Sequence, residues 1–415
     1  MKSSFKKLPG SQIELEVELD QKEFEPYWKE AHEKAFKSVD IKGFRPGAAP
    51  KELAEKAVDQ EKVFSEAANR AVRITLDEVA QDNSWTIIDA PKIELTDAQL
   101  GLKYKGTLTL FPEVKLGNYK KIAKKVFGEK KEVKAEAAEI DKTIEWVRNS
   151  RAKQTLVNRA AKAGDLVETD VETLIEGKPV EGAQLKGDKF ILGDSRLMPG
   201  FDKQLENHSA GEKLEFSITA PADYWHKEIR GKKVDFKVNL ISVFERELPE
   251  VNEEFVKGLG KFTSVEELKK SIADGLIKEK SEKEGERLRI KTLEEIIKDA
   301  DMDIPEVMIE KTLEGMVADA QAMMKAQRLP ADRQGLKEED VRNSLKDRAR
   351  NNVATNLVIY KISETENLKP TEEEVQAEVD ILTGRMERSV NPKQYYNYAF
   401  GLVQNRKVFE FLAKQ

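Results

Sequence analysis

The sequence predicts a multidomain α+β protein, on three observations. Its 415 residues exceed what one ordinary hydrophobic core supports, so roughly two or three domains are expected. The hydrophobic period changes along the chain, from mixed strand and helix at the start, to strand-rich in the middle, to almost wholly helical after Pro249. Charged residues make up 36% and apolar ones 39%, with 7% aromatic, a balance that suits extended helix-rich domains with much solvated surface.

Ile13, Leu15, Val17 and Leu19 alternate with polar residues and share one side of an extended strand. Pro26 is expected to open a helix carrying Trp28, Ala31, Ala35 and Phe36. A longer helix follows, with Phe64, Ala68, Ala71, Val72 and Val79 along a face. Strand signals return at Ile87-Ile88, at Ile93 and Leu95, and at Leu102, Tyr104, Leu108 and Leu110. Strand, helices, then strands make a small α+β domain, residues 1–112, ending near Phe111-Pro112.

Residues from Val114 to Lys162, rich in Lys, Glu and Ala, read as an extended connector followed by a helix holding Ile140, Ile144 and Val147. The stretch from Gly164 to Arg246 is β-rich and punctuated by Gly and Pro. Its strands include Leu214, Phe216 and Ile218, then Val234, Phe236, Val238 and Leu240, as expected of a separate compact module. Beyond Pro249 the spacing is helical. Ser264 with Glu267, and Thr371 with Glu374, have capping-box spacing, Pro305 and Pro392 suit first turns, and Val353, Leu357, Val358 and Ile362 form a buried stripe.

Composition narrows the chemistry. A net charge of -6 argues against a general nucleic-acid coat, which needs a basic face. With no cysteine, disulfides, thiolate metal sites and thiol catalysis are excluded. The start, Met1 to Gly10, has no apolar stretch behind its lysines, and no run approaches the roughly 20 apolar residues of a spanning helix, so a cytoplasmic protein without a membrane partner is expected. Gly258-Leu259-Gly260-Lys261 is not a phosphate loop, since Phe255 and Phe262 stand where the first Gly and the magnesium-binding Ser or Thr belong. No nucleotide or other cofactor is therefore expected. His32, His208 and His226 lack zinc-ligand spacing, so no metal is expected either.

Between the first two long helices lies Gly43-Phe44-Arg45-Pro46-Gly47-Ala48-Ala49-Pro50, flanked by Lys42 and Lys51. Prolines that lock φ and glycines that permit tight bends make this a fixed loop. It either connects helices with Phe44 tucked into the core, or presents Phe44 and Arg45 to a partner. The octapeptide resembles the ribosome-binding signature of the trigger-factor family, Gly-Phe-Arg-x-Gly-x-x-Pro, at Gly43, Phe44, Arg45, Gly47 and Pro50, with Pro46 between them. The resemblance implies docking beside the ribosomal tunnel exit, on protein and adjacent RNA. Phe44 would then supply apolar contact, and Arg45 charge-assisted hydrogen bonds.

The middle stretch resembles an FKBP-type prolyl isomerase domain. The residues that carry this are Gly164-Asp165, Gly177 to Gly182, Phe190 to Gly193, Met198-Pro199-Gly200-Phe201, Ala210-Gly211-Glu212, Pro221 to Tyr224 and Gly231-Lys232. Prolyl isomerisation needs no nucleophile or metal, because its barrier of roughly 18–20 kcal/mol comes from amide resonance. A dry aromatic pocket that prefers the twisted amide lowers it. The resemblance implies that Met198, Phe201, Tyr224 and Phe236 line that pocket, with Phe190 beside them. The chain departs from the pattern at Val171, after Asp170, where an aromatic is usual, and at Trp225, which displaces His226 by one. A fold kept for binding or spacing is the alternative to a working isomerase.

The resemblance covers essentially the whole chain. It implies an N-terminal α+β ribosome-docking domain (1–112), an inserted FKBP-like β-rich domain (161–246), and a helical chaperone body built from 113–160 and 247–415. The implied function is ATP-independent chaperoning of nascent or unfolded polypeptides, with a homodimer left open. Met316, Met323, Met324 and Met386 suit either adaptable client contacts or ordinary helix core. The rival readings are a dedicated FKBP-type isomerase whose helices only dimerise, and a periplasmic chaperone-isomerase.

Overall fold

The computed structural model describes residues 1–38, 50–97, 101–180, 182–194, 198–224, 229–260, 262–326, 338–384 and 392–415. The chain is α+β and divides into two compact units, Met1–Lys130 with Arg287–Gln415, and Lys131–Glu286.

In the first unit, β1 (Lys2–Leu8), β2 (Gln12–Asp20), β3 (Lys92–Asp97) and β4 (Gly101–Thr109) form an antiparallel sheet of order β1-β2-β4-β3. Helices α1 (Gln21–Ser38), α2 (Lys51–Ala57) and α3 (Gln60–Asp82) accompany it. The alternation of β2 buries Leu15, Val17 and Leu19 against Phe24 and Ala31 of α1 and Val63, Ala67 and Ala71 of α3. Tyr104 is fully buried and shares a hydrogen bond of 2.8 Å with the hydroxyl of Thr75.

Four elements differ from the sequence reading. α1 opens at Gln21, and Pro26 lies inside it. The start is a reciprocal cap, in which the Asp20 N–H donates to Glu23 and the Glu23 N–H to Asp20, both at 2.9 Å. Ile87 makes only an isolated bridge to Leu110, so Ile87-Ile88 is no strand. The supposed connector contains α4 (Tyr119–Phe127), whose N-cap Asn118 accepts from the Lys121 N–H. β1 is an additional element that its sequence, KSSFKKL, does not announce.

The rest of this unit is helical apart from β5 (Val114–Lys115), which pairs with Asp301–Met302. Helices Glu306–Ala326 and Glu338–Thr365 pack together around Ile309, Leu313, Val317 and Ala349. Val358 and Ile362 meet Val408 and Leu412 of helix Pro392–Ala413. The reciprocal box is present at Thr371 and Glu374, where helix Glu372–Gly384 begins. Asp303 ties this part to the N-terminal hairpin by accepting the Gly10 and Ser11 N–H groups at 2.6 and 2.9 Å.

The second unit holds helix α5 (Ala137–Ser150) and a sheet of β6 (Lys153–Leu156), β7 (Leu166–Ile175), β8 (Lys178–Pro179), β9 (Leu185–Ile191), β10 (Lys213–Thr219) and β11 (Lys233–Glu247). The main path is β10-β11-β7-β8, with β6 paired to β11 and β9 to β7, all antiparallel. Its core gathers Val167, Val171, Phe190, Leu192, Phe201, Leu205, Val234 and Leu240.

Candidate functional site

The register of the second sheet builds an aromatic cluster. Strand alternation puts Phe236 and Val238 of β11 on the core face, and pairing sets Phe216 of β10 directly opposite Phe236. The Met198-Pro199-Gly200-Phe201 turn delivers a third ring. Gly200 has φ +91, which an L side chain rarely adopts, and the Phe201 N–H closes the turn on the Met198 carbonyl at 2.9 Å. Phe201 then meets Phe236, Phe216 and Phe190 at centroid distances of 5.1, 5.3 and 6.1 Å.

Of the four pocket residues expected from the sequence, Met198, Phe201 and Phe236 are 2%, 0% and 4% exposed, and Tyr224 packs half-buried against their cluster. The Arg230 guanidinium holds the Tyr224 carbonyl at 2.5 Å. Asp202, next to the central ring, is buried. Its Oδ2 accepts the Gly193 N–H at 2.9 Å, and burial pushes its pKa above the ordinary aspartate value. Trp225 and His226 lie outside the described residues.

A cavity of about 600 Å³ adjoins the cluster through Val171 and Val238, with Pro179, Leu185, Leu214 and Asp170 also in its wall. Pairing aligns Leu185, Val171, Val238 and Leu214 across four strands. Asp170 does not face this space as a free group, because its Oδ1 accepts the Gly187 N–H at 2.9 Å. The cluster around Phe201 and Phe236 is apolar and aromatic, and Glu172, Lys186, Lys213, Glu215 and Lys237 also line the cavity beside it.

Sequence reasoning passed over the anchor of this module. Arg159 forks onto Asp165 at 2.7 and 3.0 Å and reaches Glu245 at 3.0 Å, while the Lys162 N–H donates to Asp165 at 3.0 Å. Asp165 was legible as part of a Gly-Asp turn, but its partner Arg159 lies 6 residues away and the second carboxylate on that guanidinium, Glu245, lies 86 residues from Arg159, with no local signal.

Of the octapeptide expected to dock, Gly43, Phe44, Arg45, Pro46 and Gly47 lie outside the described residues. Its last residue, Pro50, is exposed and caps α2 by accepting the Leu53 N–H at 3.0 Å. Among the methionines, Met323 is 63% exposed, whereas Met316 packs on the Ile309 and Leu313 cluster and Met386 lies outside the described residues. His208 is tied to Glu212 at 2.6 Å. Among the described residues no helix is long and apolar enough to cross a membrane.

An antiparallel sheet packed on helices, a β-rich module built round a Met-Pro-Gly-Phe turn, and a set of long helices define a multidomain folding factor with an FKBP-type module. Family models agree in chain order. Residues 1–147 match "Bacterial trigger factor protein (TF)", 157–241 match "FKBP-type peptidyl-prolyl cis-trans isomerase", and 264–413 match "Bacterial trigger factor protein (TF) C-terminus". The trigger factor of Acetivibrio thermocellus is 31% identical over 89% of this chain and 87% of its own. That of Brevibacillus brevis is 28% identical over 100% and 99%. A solved trigger factor chaperone structure, 21% identical, covers 100% of both chains with a TM-score of 0.54, a likeness of fold. The chain belongs to the bacterial trigger factor family.

Proposed function

We propose that the chain is an ATP-independent chaperone that meets nascent polypeptides at the ribosomal tunnel exit and carries a prolyl isomerase site in its middle module. The observation that supports this is the full ordered set of family domains along one chain. A dedicated isomerase with helices used only to dimerise has no need of the first and last of them. The domain limits we assign are 1–112 for docking, 161–246 for the isomerase, and 113–160 with 247–415 for the body. The setting is the cytoplasm, the partners are the ribosome and unfolded chains, and no nucleotide takes part.

Docking is assigned to the loop from Gly43 to Pro50, with Phe44 giving apolar contact and Arg45 pairing a carboxylate or phosphate. In the isomerase, a prolyl peptide bond enters aromatic surroundings around Phe201, Phe236 and Tyr224, where loss of water disfavours the planar, charge-separated amide. The rate advantage comes from binding the twisted form better than the planar one. Val171 in place of an aromatic leaves that wall thin, so the activity is modest. Client segments are held on exposed apolar side chains of the body, such as Met323.

The test is co-sedimentation of the full chain with bacterial ribosomes. Replacing Phe44, Arg45 and Pro46 by Ala should abolish it with an unchanged circular-dichroism spectrum, and added salt should weaken it. A folded triple variant that still sediments refutes the docking assignment.

A further inference from the structure

The outer face of the N-terminal sheet arranges its charges in columns. Pairing sets Lys2 and Lys6 of β1 opposite Glu18 and Glu14 of β2. It sets Glu16 and Glu18 opposite Lys105 and Lys103 of β4, and Lys105 opposite Glu94 of β3. Across the order β1-β2-β4-β3 the sign therefore runs positive, negative, positive, negative. The columns interact: Lys105 and Glu16 form an ion pair of 2.5 Å. The Glu16 hydrogen bond, then the charges of Glu16, Glu14 and Glu94, raise the Lys105 pKa.

β1 ends this series and is open on both faces. Every residue from Lys2 to Lys7 is exposed, and Lys2, Lys6 and Lys7 make no ion pair among the described residues. Among the described residues, no strand pairs with the alternate backbone N–H and C=O groups on its outer side. On the opposite face from Lys2 and Lys6 stands Phe5, 49% exposed, its ring edge-on to Trp85 at 4.9 Å. The other rim of the sheet is less suited to a long ladder, because the β3 register breaks between Leu95 and Asp97.

A strand added beyond β1 continues the sign pattern only if it carries carboxylates beside Lys2 and Lys6. Its other face then lies beside Ser3, Phe5 and Lys7, where the half-exposed Phe5 ring at the centre favours an apolar side chain. A second copy of β1 fits badly, since its sequence KSSFKKL carries no carboxylate to set beside Lys2 and Lys6. We propose that β1 is a docking edge for an extended polypeptide segment alternating acidic with apolar residues, taken up by strand addition. In sequence β1 (Lys2–Leu8) lies outside both the Gly43–Pro50 segment and the isomerase-like module.

The probe is a capped nine-residue peptide alternating Glu and Val, N-methylated along one edge to keep it monomeric, added at low salt to the full chain. Hydrogen exchange of the Lys2–Leu8 amides is the readout. The peptide should slow exchange there by about tenfold at saturation, and the Lys2→Glu, Lys6→Glu double variant should weaken its binding by about tenfold. A Lys-Val peptide should give no protection, which keeps the test valid if the double variant folds poorly. No protection of this segment, equal protection by the two peptides, or protection that appears with rising protein concentration alone (a second copy as occupant) would each overturn the proposal.

Discussion

The rings of Phe201 and Phe236 meet edge to face, with centroids 5.1 Å apart and planes at 79°. Phe201 is fully buried, so the residue expected to floor a substrate pocket is also the centre of the module's core. Phe201→Ala should cost about 3–5 kcal/mol of stability and cannot report on catalysis alone. Tyr224 stands at the half-buried rim of the same cluster. Tyr224→Ala should lower kcat/KM on a proline tetrapeptide while the urea midpoint of the module moves much less than in Phe201→Ala. An unaltered rate in Tyr224→Ala removes that side chain from the site.

Val171 offers the converse experiment. It borders the cavity of about 600 Å³, at the position where the resemblance to FKBP-type domains implies an aromatic. Val171→Phe should raise kcat/KM several-fold by thickening the apolar wall, against an overpacking cost of about 1–3 kcal/mol. A variant with wild-type stability and no gain in rate shows that this wall does not limit catalysis.

The anchor of the module should be visible in its pH dependence. Burial alone would raise the Asp165 pKa, but the Arg159 hydrogen bond, the Lys162 N–H and the charges of both residues outweigh it and hold the carboxyl below its ordinary 3.8. The unfolded chain therefore binds this proton more readily. The stabilisation is complete above the unfolded value and is lost as pH falls through the lower folded one. Between about pH 5 and pH 3 the urea midpoint should fall more steeply for wild type than for Asp165→Asn. At neutral pH, Asp165→Ala should cost about 1–3 kcal/mol, because the Lys162 N–H and the Arg159 fork lose a buried acceptor while Arg159 keeps Glu245. Parallel pH profiles would show that the pair contributes nothing.

What the sequence made legible follows from where its signals are local. β2 alternates because one face is buried and the other is wet, so Ile13 to Leu19 could be read directly. β1 could not be read, because every residue from Lys2 to Lys7 is exposed and nothing selects its side chains by period. Pro26 misled because the cap of α1 lies upstream, in Asp20 and Glu23. α4 was hidden by its lysines, although Ala123 and Val126 are buried. At the candidate site, Met198, Phe201, Tyr224 and Phe236 came from a family pattern. The pairing of Phe216 with Phe236, and the fork of Arg159 on Asp165, depend on register and long-range closure, which no short stretch encodes.

Removing the β-rich module should separate chaperoning from prolyl isomerisation. β6 and β11 run antiparallel, with Leu156 opposite Phe244 and Lys153 opposite Glu247. Directly opposed residues lie about 4.5–5.5 Å apart at Cα, so a chain cut after Leu156 and resumed at Phe244 closes with a short Gly-Ser linker. The stub keeps its own contacts. Arg148 donates to the Pro249 carbonyl at 2.6 Å, Arg246 to the Asn149 carbonyl at 3.0 Å, and Val147 packs with Phe255, Val256 and Leu268. Removal of residues 157–243 should therefore leave the remaining helices folded, with circular dichroism richer in helix per residue. This shortened chain should lose prolyl isomerisation and still suppress aggregation of a refolding client without ATP, because the exposed apolar side chains of the first unit, Met323 among them, are untouched. If a folded shortened chain holds no client, the client surface lies in the module, and the body serves to present it.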